Sequence, residues 1–277
     1  MNFVVTDFFA HVVSWVEREN HRFIGILRGL SEQEWRAPTF CPNWCVADVV
    51  AHMTLGAHFY AHVIPAGAAG RLEMPFGARD LESFWAYRKE VGDELVALSA
   101  DERINAFAEA VWGLQEVFQG VRLDDLDKQA WHWLAPCPIR TFPGQRLYEL
   151  ILHDWDIRNQ PDSALHPSSL SIAVDCLAER FPIFFGARGD RDFSGNICFE
   201  TKQPDRNWTL RIEKGNPEIA FSESGDYDAR VVCDGSDLVL LTTGRASLED
   251  KEKAGRLRIE GDRTQAALVL DVLSRPF

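Results

Sequence analysis

Apolar residues recur at intervals of three and four positions along the first 160 residues of the chain. This period is that of an α-helix with one buried face. It predicts a first long helix over residues 5–29, closed by Gly29, whose apolar stripe comprises Phe8, Val12, Trp15, Val16, Phe23, Ile26 and Leu27. The same spacing predicts further helices over residues 45–64, 80–99, 101–121 and 146–160. The first part of the chain is therefore expected to be an all-helical bundle.

The pattern changes after the segment PDSALHPSSL, residues 161–170, which is rich in proline and serine. One more helix is predicted over residues 171–189, and apolar and polar residues then alternate in short runs parted by Gly, Asn and Asp. Alternation predicts strands, here residues 195–201, 208–215, 217–223, 228–235 and 255–261. Residues 236–244 and 262–274 return to a helical period, which indicates an α+β domain with a small, mostly antiparallel sheet.

These two patterns predict two domains. The helical domain is expected over residues 1–162 and the α+β domain over residues 168–277. A length of 277 residues agrees with this division, because single domains of that size are less common than pairs.

Composition and charge exclude several classes of protein. Hydrophobic residues make up 46% and charged residues 26% of the chain, as in ordinary globular proteins. The net charge of −13 argues against nucleic acid or an anionic membrane as the main partner, because both repel an acidic surface. The chain lacks any run of about 18 apolar residues and begins without the features of a signal peptide. Six cysteines without a CxxC pair are typical of reduced thiols, so we expect a cytoplasmic protein.

A carboxylate and an imidazole lie four positions apart in the segment RLYELILHDWDIRNQ, at Glu149 and His153. A helix turns about 100° per residue, so the two side chains share one face. Such a pair is often a surface ion pair without further meaning. It is also two-thirds of a metal site, because imidazole nitrogen and carboxylate oxygen both bind cations such as Zn²⁺. A third ligand is needed to choose between these interpretations.

The best third ligand is His52, which follows the apolar stripe of the second predicted helix. A buried core histidine is the alternative explanation. His58 and His62 form a competing pair on that helix, but they lie about 240° and 280° around the axis from His52, so the three cannot converge. Cys45 shares a face with His52 at a rise of roughly 10 Å, too far to bind the same ion.

Other polar residues can support such a site. Asp156, three positions after His153, can accept a hydrogen bond from that imidazole. Arg146 is interpreted as an ion-pair partner of Glu149, and Asp48 as a capping residue in the first turn of its helix.

Two segments together resemble a known family. WRAPTFCPNWCVADVVAHM, residues 35–53, is similar to the family pattern of a Trp, a Pro-Thr and a Gly-Trp-Thr-Val-x-Asp-Val-x-x-His block. RLYELILHDWDI, residues 146–157, is similar to its Arg-x-x-Glu-x-x-x-His-x-x-Asp block. The family is that of the mycothiol-dependent maleylpyruvate isomerases, within the broader DinB-like metalloenzymes. The resemblance covers the first 160 residues by motif and the remainder by general layout.

The resemblance implies a DinB-like four-helix bundle followed by a small α+β domain similar to sterol carrier proteins. It implies that His52, Glu149 and His153 bind a divalent metal, usually Zn²⁺, and that a low-molecular-weight thiol such as mycothiol is the cosubstrate. A short match in LVLLTTGRAS suggests Arg245 as a catalytic residue that faces the active-site cleft. An exposed arginine that closes a helix is the alternative.

Two positions depart from the family pattern. Asn43 stands where Gly is usual, which is a mild change because Asn tolerates left-handed backbone. Cys45 replaces the Ser or Thr expected at the helix N-cap, where Cys is a poorer cap, or else supplies a redox-sensitive thiol. Neither departure touches the three predicted ligands.

These features predict a metal-dependent enzyme that uses a thiol for cis–trans isomerisation of a maleylpyruvate-type substrate or for transfer of the thiol sulfur. The alternative is a non-catalytic small-molecule or lipid-binding protein with a structural or vestigial metal site. Trp44 and His132 are predicted to contribute to the cofactor pocket, with core packing as the alternative. The expected partners are a small-molecule substrate and the thiol, without nucleic acid or membrane, and the chain is expected to be a monomer or a homodimer.

Overall fold

A computed structural model describes residues 2–221 and 226–275, and for residues 2–6 it describes the backbone alone. The chain divides into two compact units, Met1–Ser163 and Ala164–Phe277. The first unit is helical, and the second combines a five-stranded sheet with helices. The predicted fold class, a helical bundle followed by an α+β unit, is confirmed.

Four long helices build the core of the first unit. Its helices are α1 (Asn2–Arg28), α2 (Glu32–Trp35), α3 (Val46–Ala68), α4 (Leu81–Ala97), α5 (Ala100–Gly120) and α6 (Phe142–Arg158). α3 packs against α5 and α6, α1 packs against the same two helices, and α4 lies on α3. Val12, Val16, Phe23 and Leu27 of the predicted stripe are buried. Burial of each such side chain contributes about 1.5–3 kcal/mol of transfer free energy.

Serine side chains begin two of these helices. Oγ of Ser31 accepts from the backbone N–H of Glu34 at 3.3 Å, and the Glu34 carboxylate accepts from the backbone N–H of Ser31 at 2.7 Å. This reciprocal pair is a capping box. α5 begins with the same arrangement of Ser99 and Glu102.

α3 is longer than its sequence pattern predicts. The Gly/Pro-rich segment after residue 64 predicts a loop, whereas the helix continues through Pro65 to Ala68. Proline removes one backbone hydrogen bond, and only the last turn of the helix follows it. A Cβ atom at Gly67 would lie 2.7 Å from Cβ of Ala130 and 2.8 Å from the carbonyl oxygen of Gln129. Close backbone packing at Gly67 therefore accompanies the extra turn.

The aromatic-rich segment of residues 131–144 lies between α5 and α6. Two short antiparallel strands bound its first part, β1 (Gln129–Ala130) and β2 (Cys137–Pro138). A 3₁₀ turn then leads directly into α6, which begins before the predicted start at residue 146. Pro143 lies in the first turn of α6, where its missing N–H has no helical partner to lose.

The second unit is an antiparallel sheet with one parallel step. Its strands are β3 (Gly195–Lys202), β4 (Asp205–Glu213), β5 (Asn216–Ala220), β6 (Ala229–Cys233) and β7 (Leu257–Gly261), and its helices are α7 (Pro167–Arg188), α8 (Gly235–Leu241), α9 (Leu248–Lys253) and α10 (Arg263–Ser274). The strand order is β5-β4-β3-β6-β7. β3 and β6 are parallel, and the other neighbours are antiparallel, as predicted. α7 and α10 pack against each other and against the sheet.

Three details of this unit differ from the sequence pattern. α9 was not predicted, because Leu248 is the single apolar residue among its six and leaves no period to detect. α7 begins at Pro167, inside the predicted connector. The strand predicted over residues 217–223 ends at Ala220, and Ser222 and Glu223 lie outside the described residues.

Candidate metal centre

α6 carries three candidate residues on one face. Glu149, His153 and Asp156 follow one another at intervals of four and three positions, which places their side chains on the same side of the helix. The helix is buried along most of its length, and the exposed fractions of His153 and Asp156 are 6% and 0%. Polar side chains this deep are retained where they are hydrogen-bonded. Their partners therefore define the site.

Asp156 orients the imidazole of His153. Its Oδ2 atom lies 2.9 Å from Nδ1 of His153, and the same oxygen accepts the thiol hydrogen of Cys41 at 3.4 Å. An ionised carboxylate only accepts, so this contact assigns the hydrogen to Nδ1 and leaves the Nε2 lone pair of His153 available. Metal-binding histidines are commonly held by such a carboxylate, which fixes the tautomer and the ring orientation. The predicted role of Asp156 as an acceptor for His153 is confirmed.

His52 of α3 meets His153 of α6. The two ring centroids lie 5.2 Å apart with an interplanar angle of 76°. His52 is half-buried, so it is not an enclosed core histidine. The ring of Trp44 lies 5.1 Å from that of His52. The structure thus brings together two imidazoles from distant parts of the chain, one of them beside a partly exposed indole.

Glu149 is held by two neighbours. Nη1 of Arg146 lies 2.8 Å from its Oε2 atom, and the hydroxyl of Tyr60 donates to Oε1 at 3.3 Å. Arg146 is fully buried and also donates to the carbonyl oxygen of Met53 at 3.0 Å. A Cβ atom at Gly56 would lie 3.2 Å from Oε2, so a glycine on α3 makes room for the carboxylate. The predicted ion pair between Arg146 and Glu149 is confirmed.

One group of three potential metal ligands among the described residues has all its ligand atoms within 4.8 Å of one another. It consists of Cys41, His153 and Asp156. The two hydrogen bonds that converge on Asp156 already explain this proximity, since they link the thiol and the imidazole to one oxygen. The three residues are therefore linked by hydrogen bonds through Asp156, and they are also a possible set of metal ligands.

The predicted ligand set does not reach the same mutual distance. The ligand atoms of His52, Glu149 and His153 do not all lie within 4.8 Å in this side-chain arrangement. The Glu149 carboxylate is engaged by its arginine and tyrosine partners, and would turn to join the imidazoles. The donor types fit a divalent cation nonetheless, because two imidazole nitrogens and one carboxylate oxygen are the ligands of many catalytic zinc sites. The assignment of these three residues as ligands stays a prediction.

The two residues predicted at the cofactor pocket have different environments. Trp44 is 36% exposed and lies beside His52. His132 is 4% exposed, accepts from the backbone N–H of Leu134 at its Nδ1 atom, and packs against the rings of Phe59 and Phe142. The packing alternative therefore describes the surroundings of His132 better than a pocket mouth does.

The competing histidines and the cap residues lie where the sequence predicts. His58 and His62 are exposed. Asn43 adopts a φ of +66°, the left-handed backbone that its replacement of Gly requires. Asp48 accepts from the backbone N–H of Cys45 at 2.8 Å, which confirms Asp48 as a capping residue.

Arg245 belongs to the second unit. It is half-buried, and its Nη1 atom donates to the carbonyl oxygen of Thr243 at 2.8 Å. Its backbone N–H donates to the carbonyl oxygen of Leu240. Gly244, the residue before it, has a φ of +74° and makes the left-handed turn that follows α8. The catalytic role of Arg245 stays a prediction.

Arg88 of α4 is a site residue that sequence reasoning missed. Its Nη2 atom lies 3.4 Å from Nδ1 of His52. Burial lowers the pKa of the Arg88 guanidinium, while the charges of Glu149 and Tyr60 oppose that shift. Lys89 and Glu90 follow Arg88 in the sequence and suggest a solvated face. The available signal was Phe84, a buried ring one helical turn earlier on the same face as Arg88.

The fold and the site define a class of protein, a helical bundle that presents imidazole and carboxylate groups from facing helices and is followed by an α+β unit. Residues 16–158 match the family model of the mycothiol maleylpyruvate isomerase N-terminal domain, and residues 191–273 match that of the SCP-2 sterol transfer family. The first match spans more than half of the chain. The chain belongs to the mycothiol maleylpyruvate isomerase family, as its motifs predict. No curated protein matches the sequence at a significant level.

Solved structures show the same fold. A crystal structure of a mycothiol-dependent maleylpyruvate isomerase is 13% identical, with a TM-score of 0.61 over 87% of this chain and 90% of that one. A mutant of such an isomerase gives 12% identity and a TM-score of 0.61 over 86% and 90% of the two chains. The sterol carrier protein domain 2 of Helicoverpa armigera covers 40% of this chain and 91% of its own, at 16% identity and a TM-score of 0.31. The two isomerase structures, at identities this low, show a shared fold and leave the reaction open.

Within residues 2–221 and 226–275, none of the helices has both the length and the apolar character that a membrane crossing requires.

Proposed function

We propose that the helical unit binds a divalent cation through His52, Glu149 and His153 and uses a low-molecular-weight thiol to isomerise a maleylpyruvate-type substrate. The observation that carries the proposal is the meeting of two imidazoles from α3 and α6, one of which is oriented by the buried carboxylate of Asp156. Membership of the family supports the thiol and the reaction class.

The residues of the chain have separate tasks in this proposal. Asp156 holds the hydrogen on Nδ1 of His153, which leaves the Nε2 lone pair for a metal. Arg146 pairs with the Glu149 carboxylate at 2.8 Å and orients it. When bound, a divalent cation with an open coordination position lowers the pKa of a thiol that enters that position. Trp44 and His132 remain proposed contacts for the thiol, and Arg245 remains a proposed catalytic residue.

The proposed isomerisation conserves all atoms. The sulfur of the thiol adds to one carbon of the cis double bond, and a proton is taken up at the neighbouring carbon or its conjugated oxygen. Rotation about the resulting single bond and loss of the same thiol and proton give the trans isomer. The thiol is regenerated, so no cysteine of this chain has to act as nucleophile. In an S-transfer reaction the thiol is consumed instead.

Metal analysis tests the ligand set directly. Purified protein should contain about one equivalent of a divalent metal, and the double variant His52→Ala, His153→Ala should contain little. His62→Ala is the matched control, because His62 is exposed on the same helix as His52 and should leave the metal content unchanged. Full occupancy of the double variant, or a metal-free native protein that stays inactive with added metal, would contradict the proposal.

Stoichiometry distinguishes the two reactions. Metal-loaded protein is assayed with mycothiol, bacillithiol and glutathione against maleylpyruvate. An isomerase turns over many substrate molecules per thiol, whereas a transferase consumes one thiol for each. Arg245→Ala should lower turnover more than metal content if Arg245 binds substrate, and equal losses would assign it a structural role.

A lipid carrier is the second candidate function. The match of residues 191–273 to the SCP-2 sterol transfer family favours it. In that case the purified chain should carry bound lipid and no stoichiometric metal, which mass spectrometry of organic extracts and metal analysis of the same preparation would show together.

A further inference from the structure

Arg88 brings a positive charge to the imidazole pair. Its guanidinium lies 3.4 Å from His52, and its central carbon is 5.7 Å from the ring centroid of Phe84 and 5.8 Å from that of Trp85. At these distances the aromatic faces attract the cation and hold it in place. Arg88 is half-buried and Trp85 is 46% exposed, so the charge lies at the edge of the site and not deep in the core.

Two other arginines of this unit, Arg22 and Arg103, have protein partners of a kind that Arg88 lacks. Arg22 pairs with Glu19 and Asp154. Arg103 donates to the backbone carbonyl oxygens of residues 95, 96 and 98. Both arrangements are internal to the helical unit and leave little capacity for a ligand.

Arg88 has no such partner in the described part of the chain. Across residues 2–221 and 226–275, no carboxylate oxygen lies within the 4.0 Å ion-pair distance of its guanidinium. Glu149 is the carboxylate whose charge acts on the pKa of Arg88, and it is already paired with Arg146 at 2.8 Å. A guanidinium offers five N–H donors, and the contact with His52 uses one. The remaining donors of a partly desolvated cation are suited to an incoming anion.

We infer that Arg88 binds a carboxylate of the substrate and holds its double bond beside the imidazole pair. The inference rests on the proposed function, since it assigns the residue that binds the carboxylate of the unsaturated acid at the same site. A carboxylate matches the planar fork of arginine in two parallel hydrogen bonds. The exposed ring of Trp85 gives the flat, conjugated part of such an acid a surface to lie on.

Calorimetric titration with maleate, a small unsaturated dicarboxylate, tests the inference. Arg88→Met should weaken maleate binding about tenfold or more, because a bidentate charged contact is lost. Lys89→Met is the matched control, since it removes one cation from the same helix where the side chain is 76% exposed and pairs with exposed Asp93. This control should bind maleate as the native protein does. Equal affinity of Arg88→Met and native protein, or no maleate binding by the native protein, would overturn the inference.

Two further measurements separate substrate binding from a structural role. Arg88→Lys keeps the charge but not the fork, so we expect intermediate affinity for maleate and an unchanged melting temperature. Metal content should be the same in the native protein and in Arg88→Met. Loss of metal together with maleate binding would show that Arg88 only supports His52, and would overturn the inference.

The same set of proteins distinguishes this inference from the proposed function. Maleate binding that depends on Arg88 in a protein without metal or isomerase activity would retain the anion site and reject the proposed reaction. A metal-dependent isomerase that is indifferent to Arg88→Met would retain the reaction and reject the anion site. In an active enzyme, Arg88→Met should raise KM for maleylpyruvate, and the control Lys89→Met should leave KM unchanged.

Discussion

Oδ2 of Asp156 lies 2.9 Å from Nδ1 of His153, and both residues are on the buried face of α6. The same carboxylate oxygen accepts a hydrogen bond from the thiol of Cys41, which lies in the loop before α3. Asp156 thus orients the candidate ligand His153, and it is itself hydrogen-bonded to Cys41. Its charge matters more than its shape, because an amide of the same size would accept more weakly.

Asp156→Asn should therefore reduce metal affinity more than stability. We expect a loss of about 10- to 100-fold in affinity, the usual cost of removing a residue that orients a metal-binding histidine. Competition with a chromogenic chelator measures this change. Asp162→Asn removes the same charge at an exposed position just beyond α6 and should have no effect.

Arg146→Met should destabilise the helical unit. The side chain is fully buried, and its loss leaves Glu149 without its ion-pair partner and removes a hydrogen bond to the carbonyl oxygen of Met53. We expect the free energy of unfolding to fall by about 2–4 kcal/mol. The loss is limited because the Glu149 side chain is partly exposed to solvent. Urea denaturation checks this value. Arg36→Met, at an arginine whose side chain is 82% exposed, should change it by less than about 0.5 kcal/mol.

Cys45→Ser should stabilise the protein. Cys45 is the N-cap of α3, and its side chain provides no conventional capping hydrogen bond, whereas a serine hydroxyl accepts well from the first turn. The expected gain is about 0.5–1 kcal/mol in the free energy of unfolding. Cys45→Ala is the comparison variant, and a serine variant no more stable than the alanine variant would rule out the capping explanation.

Two glycine substitutions should have opposite effects. Gly67→Ala would place Cβ 2.7 Å from Ala130 at a tightly packed helix end, so we expect a lower melting temperature. Gly113→Ala adds Cβ in open space within α5, where alanine favours the helix by about 0.5–1 kcal/mol. Thermal unfolding of the two variants beside the native protein shows whether the signs differ.

Native thiol reactivity should be confined to two cysteines. Burial raises the pKa of the Cys137 and Cys233 thiols to about 12 and also raises the pKa of the Cys176 and Cys198 thiols. A buried thiol with a raised pKa stays protonated and inaccessible to a reagent at pH 8. Desolvation also raises the pKa of the Cys45 thiol, but Cys41 and Cys45 are half-exposed and therefore accessible. A disulfide reagent at pH 8 should therefore react quickly with at most two of the six cysteines, and with all six in denaturant. Fast reaction of a third would reveal local opening.

Helical and strand periods predicted most elements of both units. The stripe of Val12, Val16, Phe23 and Leu27 is buried as its spacing requires, and the alternation around residues 195–201 gives β3. Elements that tertiary contacts determine were missed. The last turn of α3 passes Pro65 beside the close packing of Gly67, and α9 has no apolar period.

The candidate site was predicted as a list of residues more readily than as a geometry. Motif spacing identified His52 and His153, and the structure brings their rings together. The distance of the Glu149 carboxylate from these rings depends on Arg146 and on Tyr60 of another helix, which no local pattern encodes. Arg88 was missed for the same reason, since a cation among charged neighbours is indistinguishable in sequence from a solvated one.

His52 and His153 are 101 positions apart (153 − 52), and the contact of their rings closes a loop that contains α4 and α5. Confining a loop of this size in an unfolded chain costs about 4–5 kcal/mol of conformational entropy. A ligand bound by both rings would therefore act as a reversible cross-link between α3 and α6. Removal of that ligand would lower the stability of the helical bundle as well as abolish the activity of the site. The amount of folded protein would then depend on the supply of the ion.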